Sequence, residues 1–207
     1  MLLVGKAGAG KDTFAAMFPK LRRFAFGDEV RKIVNLAQID GSGVALDYIV
    51  GRLGMMDSAM IPLLKYAEKS NATGKKRTVL QVVGQGFRDI DPEFWIKLLK
   101  ADIHSAGDPP YIITDCRYEN EFNAFPNDVS VYVYASKRTR IKRLQRRDGF
   151  VTYKQLNHES EKAIDDFCDR CTYKVNNTWL SLKGLRQKAE AIQKREAEEQ
   201  RPCTELE

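Results

Sequence analysis

The segment Leu2-Leu3-Val4-Gly5-Lys6-Ala7-Gly8-Ala9-Gly10-Lys11-Asp12-Thr13 carries the strongest structural signal in the chain. Three apolar residues suited to a short buried strand run into a glycine-rich loop. Asp12 to Phe18, closed by Pro19, reads as a helix. Strand, glycine loop and helix together open an α/β unit. The loop fits G-x-x-x-x-G-K, and its glycines let successive backbone N–H groups turn inward around phosphate oxygens. The helix that follows offers its positive dipole end to the same anion, and Lys11 reaches the β- and γ-phosphates. The residue after such a lysine is usually Ser or Thr, whose hydroxyl holds Mg²⁺. Here it is Asp12, with Thr13 next. Either Asp12 approaches the metal through water or Thr13 supplies a hydroxyl from a shifted position, and the sequence leaves both open. A glycine turn without a ligand is the bland alternative, and the strand and helix on either side argue against it.

Farther along, Arg23-Phe24-Ala25-Phe26 predicts a second strand, and Asp28 an N-cap for a helix with Val30, Ile33, Val34 and Ala37 on one face. Between residues 40 and 76, Gly41, Gly43, Gly51 and Gly54 break the periodicity. Pro62 opens a helix to about Ser70, residues 71–76 read as a loop, and Thr78 to Gln85 as helical. Asp91-Pro92 marks a helix start, with Phe94, Trp95, Leu98, Leu99 and Ile103 inward and Pro109-Pro110 as the stop. Strands are expected at Tyr111–Asp115, Val129–Tyr134 and Thr172–Val175, and helices at Lys137–Arg147, Ser160–Cys168 and from Leu182, with residues 195–207 fraying. Strands alternating with helices predict an α/β fold of three layers, a five-stranded parallel sheet covered on both faces. No linker or repeat divides the chain, so one domain over 1–207 is expected, with a helical insertion at about 38–105 and a lid region at about 137–160.

Composition narrows the class. An apolar share of 43% is enough for a core and excludes wholesale disorder. No apolar run reaches the roughly 18 residues of a membrane span, and the opening apolar stretch is short for a signal peptide. Lys and Arg number 34 against 28 Asp and Glu, a net +6 that suits an anionic ligand. Cys116, Cys168, Cys171 and Cys203 read as reduced thiols of a cytoplasmic protein. Cys168-x-x-Cys171 is half a zinc site. It has no second cysteine pair and only His104 and His158 as histidine partners, so it reads as two ordinary thiols.

Two further sets of residues bear on chemistry. Asp115 ends an apolar strand, where a metal-facing carboxylate sits beside a phosphate loop; a helix cap or a salt bridge to Arg117 is the alternative. Arg77, Arg88 and Arg117 have the fork geometry that suits phosphate oxygens, or are solvated surface charges. Lys137 to Arg147 holds Lys137, Arg138, Arg140, Lys142, Arg143, Arg146 and Arg147, with only Ile141 and Leu144 apolar. It reads as a lid over a transferring phosphoryl group, a nucleic-acid contact or a solvated face. Phosphoryl transfer favours the first, and the lack of aromatic residues to stack bases weakens the second.

These motifs resemble those of phage-type deoxynucleoside monophosphate kinases, within the P-loop nucleoside monophosphate kinase superfamily. The matching segments are Gly5 to Thr13, Phe24 to Asp28, Thr78 to Gly84 with Phe87-Arg88, Asp91 to Trp95, Asp115 to Glu121, Arg138 to Gly149 and His158-Glu159-Ser160-Glu161, spread over about residues 1–177. Many nucleotide-binding proteins share the loop. The Lys11-Asp12-Thr13 ending, the Gln81 to Arg88 segment and Asp115-x-Arg117-x-x-Asn120-Glu121 are narrower.

The resemblance implies transfer of the ATP γ-phosphoryl group to a deoxynucleoside monophosphate, with Mg²⁺, and makes the helical insertion the monophosphate-binding part. It implies that Gly5, Lys6, Ala7, Gly8, Ala9, Gly10, Lys11, Asp12 and Thr13 hold ATP, with Asn177 near adenine, and that Asp12, Thr13 and Asp115 face the metal. Asp28, Arg77, Gln81, Arg88, Trp95, Arg117, Asn120 and Glu121 would serve the acceptor. Lys11, Arg88 and the lid candidates Arg138, Arg143 and Arg147 would be catalytic. The expected partners are small-molecule nucleotides rather than membranes or nucleic acid, and a homodimer stays open. The expected location is the cytoplasm, that of the host for a phage-encoded chain. Two rivals remain: another small acceptor such as phosphomevalonate, whose kinases share a Gly-Lys-Asp ending, and a nucleic-acid-stimulated ATPase.

Overall fold

The computed structural model describes residues 1–70, 76–149 and 159–199. Its strands are β1 (Leu2–Val4), β2 (Arg22–Phe24), β3 (Tyr111–Cys116), β4 (Ser130–Tyr134) and β5 (Tyr173–Asn176). They are all parallel, in the order β2-β3-β1-β4-β5. This is the expected five-stranded parallel α/β fold. The helices are α1 (Lys11–Ala15), α2 (Phe26–Ile39), α3 (Ser42–Leu53), α4 (Ile61–Lys69), α5 (Lys76–Ile90), α6 (Phe94–Ser105), α7 (Glu119–Asn123), α8 (Lys137–Asp148), α9 (Glu159–Lys162) and α10 (Leu182–Glu199).

The chain forms two compact units. The first takes in Met1–Leu21, Arg117–Glu119 and the described residues from Asn127 onward. In it β1 pairs with β4 (Leu3 opposite Val131) and β4 with β5 (Val133 opposite Val175). Leu2, Leu3, Val4, Val131 and Val133 are all buried, as a strand covered on both faces requires. The second unit takes in the described residues of Arg22–Cys116 together with Asn120–Pro126. There β2 pairs with β3 (Arg23 opposite Ile112), and α2 packs against α3, α4, α5 and α6. Ile33, Val34 and Ala37, the apolar face read from the sequence, are fully buried in it.

Several boundaries differ from the sequence expectation. Strand β2 ends at Phe24, because Ala25 is the extended residue that precedes α2. Helix α2 therefore starts at Phe26, and Asp28 is not its N-cap. The Phe26 and Gly27 amides donate instead to the Asp115 carboxylate, at 2.8 Å each. Helix α3 was hidden by its glycines: Gly43 and Gly51 lie inside it, beside open space, while Ala45 and Ile49 are buried. Burial outweighs the roughly 1 kcal/mol that each helical glycine costs. Helix α6 begins at Phe94 rather than at Pro92, since the Asp91 side chain accepts from Glu93 N at 3.0 Å and forms a turn first. Helix α1 stops at Ala15 rather than Phe18. The stretch expected as one helix over 160–168 is α9 followed by 3₁₀ turns at Ala163–Asp166 and Cys168–Arg170. Helix α8 falls where expected, and α10 continues to Glu199, past the expected onset of fraying. No helix among the described residues is long and apolar enough to cross a membrane.

Candidate active site

In the first unit the phosphate loop joins β1 to α1. Gly8 and Gly10 have φ of 78° and 98°, a region that a side chain enters only with strain. A Cβ on Gly8 would also stand 2.7 Å from Arg140 O. Both positions therefore require glycine. Lys11 is buried, and its ammonium donates to Gly5 O and, at 3.4 Å, to Lys6 O. That contact folds the lysine back along its own loop. Asp12 and Thr13 are both exposed on the first turn of α1.

The outer side of the loop is held by side chains. Arg140 donates to Ala7 O (3.1 Å), and Arg143 to Ala9 O (3.1 Å), Gly8 O (3.4 Å) and Asn177 O (2.8 Å). The buried Asn177 amide donates to Ala9 O at 2.8 Å. Across a trans peptide the C=O of one residue points opposite to the N–H of the next. Guanidinium groups on Ala7 O and Ala9 O therefore aim the Gly8 and Gly10 amides the other way, as an anion cradle requires. Asn177 thus braces the loop itself. Ala7 N donates to Glu161 (2.8 Å), which also accepts from Arg117 (2.7 Å), and Lys6 pairs with Asp165 (2.6 Å).

Among the lid candidates, Arg143 is spent on the loop, Arg138 is exposed, and Arg147 makes a two-point contact with Asp148 (2.7 and 2.8 Å). The Asp148 bonds raise the Arg147 pKa against burial, with the Asp148 and Asp12 charges adding to the effect. The stretch 150–158, part of the expected lid, lies outside the described residues.

The second unit gathers most of the residues assigned to the acceptor. Both oxygens of Asp115 cap α2, the alternative role weighed for it. Asp28 pairs with Arg23 at 2.6 Å and with Arg31. Burial alone would push the Asp28 carboxyl up, but the bonds from Arg31 and Arg23 outweigh it and hold its pKa below the ordinary value. Arg88 donates to Gly84 O (3.1 Å) and to Glu121 (3.0 Å), whose side chain is only 3% exposed. Gln81 is exposed on α5. Trp95 is in the core, its indole N–H donating to Gly84 O at 2.9 Å beside Phe87 and Phe94. Asn120 fixes the turn before α6 by donating to Pro92 O at 2.8 Å. The Arg77 side chain lies outside the described residues.

Sequence reasoning passed over Arg140, Glu161, Arg23 and Arg31. Arg31 was legible as the i+3 partner of Asp28. Arg140 was one of seven similar charges, and Glu161 stood in the His158–Glu161 segment of the resemblance with no role assigned to it. It also missed Glu29, a buried acid on α2 that accepts from the Tyr48 hydroxyl at 2.7 Å. Burial raises the Glu29 pKa, partly offset by that bond. Cys168 and Cys171 are free thiols, and burial pushes Cys171 up to about 11.

No family model and no curated protein sequence matches the chain. Among solved structures, TT1252 from Thermus thermophilus shares the fold at a TM-score of 0.56, with 16% identity over 94% of this chain and 95% of that one. Dephospho-CoA kinase from Campylobacter jejuni matches at a TM-score of 0.47, with 15% identity over 94% of this chain and 96% of that one.

Proposed function

We propose that the chain transfers the γ-phosphoryl group of ATP to a deoxynucleoside 5'-monophosphate, giving ADP and a deoxynucleoside diphosphate. The observation that carries this reading is the loop Gly5–Lys11, with Gly8 and Gly10 in left-handed backbone and its outer carbonyls drawn away by Arg140, Arg143 and Asn177. Such a loop is suited to the β- and γ-phosphates of a nucleotide, with Lys11 as its positive charge. The donor set also fits a divalent cation. Mg²⁺ needs only one or two protein oxygens besides phosphate and water, and Asp12 and Thr13 are exposed where they can supply them. When bound, the ion would neutralise charge on the phosphate oxygens.

The acceptor phosphate is anionic at neutral pH and needs no general base. The chemical task is to hold two polyanions together, which suits arginines better than a histidine. Arg88 supports the acceptor assignment, because the buried Glu121 carboxylate orients its guanidinium while leaving it partly exposed. A coupled ADP-release assay across dAMP, dGMP, dCMP, dTMP, their ribose forms and phosphomevalonate tests the reading. Turnover is expected with at least one deoxynucleotide. Turnover with phosphomevalonate alone, or only on adding DNA or RNA, would overturn it.

A further inference from the structure

We propose that Glu161 is a positioning residue that sets Lys11 through the Lys6–Ala7 peptide. The inference rests on the phosphoryl-transfer reading above and adds a residue to which that reading gives no role.

Glu161 is nearly fully buried beside a loop built to attract anions. One of its oxygens accepts from Ala7 N at 2.8 Å and lies 3.7 Å from Arg140. The other accepts from Arg117 at 2.7 Å. Arg140 in turn donates to Ala7 O at 3.1 Å. Both backbone groups of Ala7 are thus gripped, the N–H by an acid and the C=O by an arginine, and the two side chains pair with each other. A loop outside regular secondary structure has no ladder to fix its peptide planes, and this closed ring supplies the constraint. The two arginines neutralise a carboxylate that would otherwise repel a polyphosphate.

The consequence for Lys11 follows from peptide planarity. With Ala7 N–H turned to Glu161, the carbonyl of the same peptide, Lys6 O, points the opposite way. Lys6 O accepts there from Ala9 N at 3.1 Å and lies 3.4 Å from the Lys11 ammonium. Glu161 therefore holds one of the two carbonyls against which Lys11 rests. The Lys6–Asp165 pair at 2.6 Å anchors the same turn from the neighbouring residue. Glutamine in place of Glu161 keeps the size. Ala7 N and Arg117 donate to different carboxylate oxygens, so the single amide oxygen can take only one of the two places, the amide NH2 faces the other donor, and the negative charge beside the arginines is gone.

The test is isothermal titration of ATP into the wild-type chain, Glu161→Gln, Lys11→Ala and the double variant. Glu161→Gln is expected to raise the Kd for ATP about tenfold or more. In the Lys11→Ala background the same change is expected to cost less than twofold, because it acts through the lysine; a merely structural role would give the same loss in both backgrounds. An unchanged or tighter Kd in Glu161→Gln would overturn the proposal, as would equal losses in the two backgrounds. Tighter binding would mean that the carboxylate occupies the place of a phosphate. A wild-type chain that binds no ATP would instead bring down the phosphoryl-transfer reading itself, and that is seen before any variant is compared. Should Glu161→Gln fail to fold, amide hydrogen exchange of the wild-type chain decides. Ala7 N–H is expected to be protected both without and with ADP, and free exchange in either state would overturn the proposal.

Discussion

The phosphate loop of the first unit and the charged groups of the second are built in opposite ways. The loop is seven consecutive residues, Gly5 to Lys11, and the groups it offers to the proposed phosphate are backbone amides aimed by φ angles and by side chains on its outer carbonyls. The second unit draws its charges from separate elements: Arg23 on β2, Asp28 and Arg31 on α2, Arg88 on α5 and Glu121 on α7. Arg23, Arg31 and Arg88 are each aimed by a carboxylate partner. A backbone site tolerates little change of shape, whereas a side-chain site can be retuned one pair at a time.

If that contrast is right, removing the one indispensable side chain of the loop has the largest effect. Lys11→Ala should lower ADP formation about a thousandfold or more, with the thermal unfolding curve little changed. Next comes Arg88→Ala, which takes one partner from the buried Glu121 carboxylate; removing one partner of a buried pair costs about 3–5 kcal/mol. Arg88→Ala with Glu121→Gln should recover most of that stability in denaturant melts. In the double variant the acceptor KM should stay raised and kcat lowered, while the KM for ATP stays within about twofold. If ATP affinity alone suffers, Arg88 does not serve the acceptor. A backbone-level test is Gly8→Ala, which forces a side chain to φ 78° against Arg140 O. About 1–3 kcal/mol of stability should be lost, with weaker ATP binding. Weaker binding without loss of stability would mean that the loop is flexible rather than pre-formed.

The smallest effect concerns pH. Asp28 has its folded pKa held below the ordinary 3.8 by Arg31 and Arg23. The stability it contributes is present above that ordinary value and is lost as pH falls through the folded value. Because the pair is substantially exposed, the term is small and screened by salt. Asp28→Asn should flatten the acid limb of the Tm profile slightly at low salt: the small loss of Tm is constant above pH 6 or so and vanishes as pH falls through the folded value.

What was legible in the sequence follows the same division. The strand, loop and short helix from Leu2 to Ala15 depend on local residues, and periodicity and glycine spacing revealed them. Helix α8 was legible too, expected over Lys137–Arg147 and observed over Lys137–Asp148. The start of α2 was not legible, because the groups that satisfy its first amides belong to Asp115, some 89 residues away. Nor was α3, whose glycines hide a helix made stable by burial of its other face. Arg140 and Glu161 escaped for a similar reason. One basic residue among seven, and one acid in an acidic stretch, acquire a role only when the fold brings both to Ala7.

The most direct test of the central claim is phosphorus NMR of ATP and a deoxynucleoside monophosphate mixed with the protein and Mg²⁺. The account predicts that ADP and the deoxynucleoside diphosphate appear together in equal amounts, and that neither forms with Lys11→Ala. Inorganic phosphate accumulating in place of the diphosphate, or the same spectrum from Lys11→Ala, would contradict it.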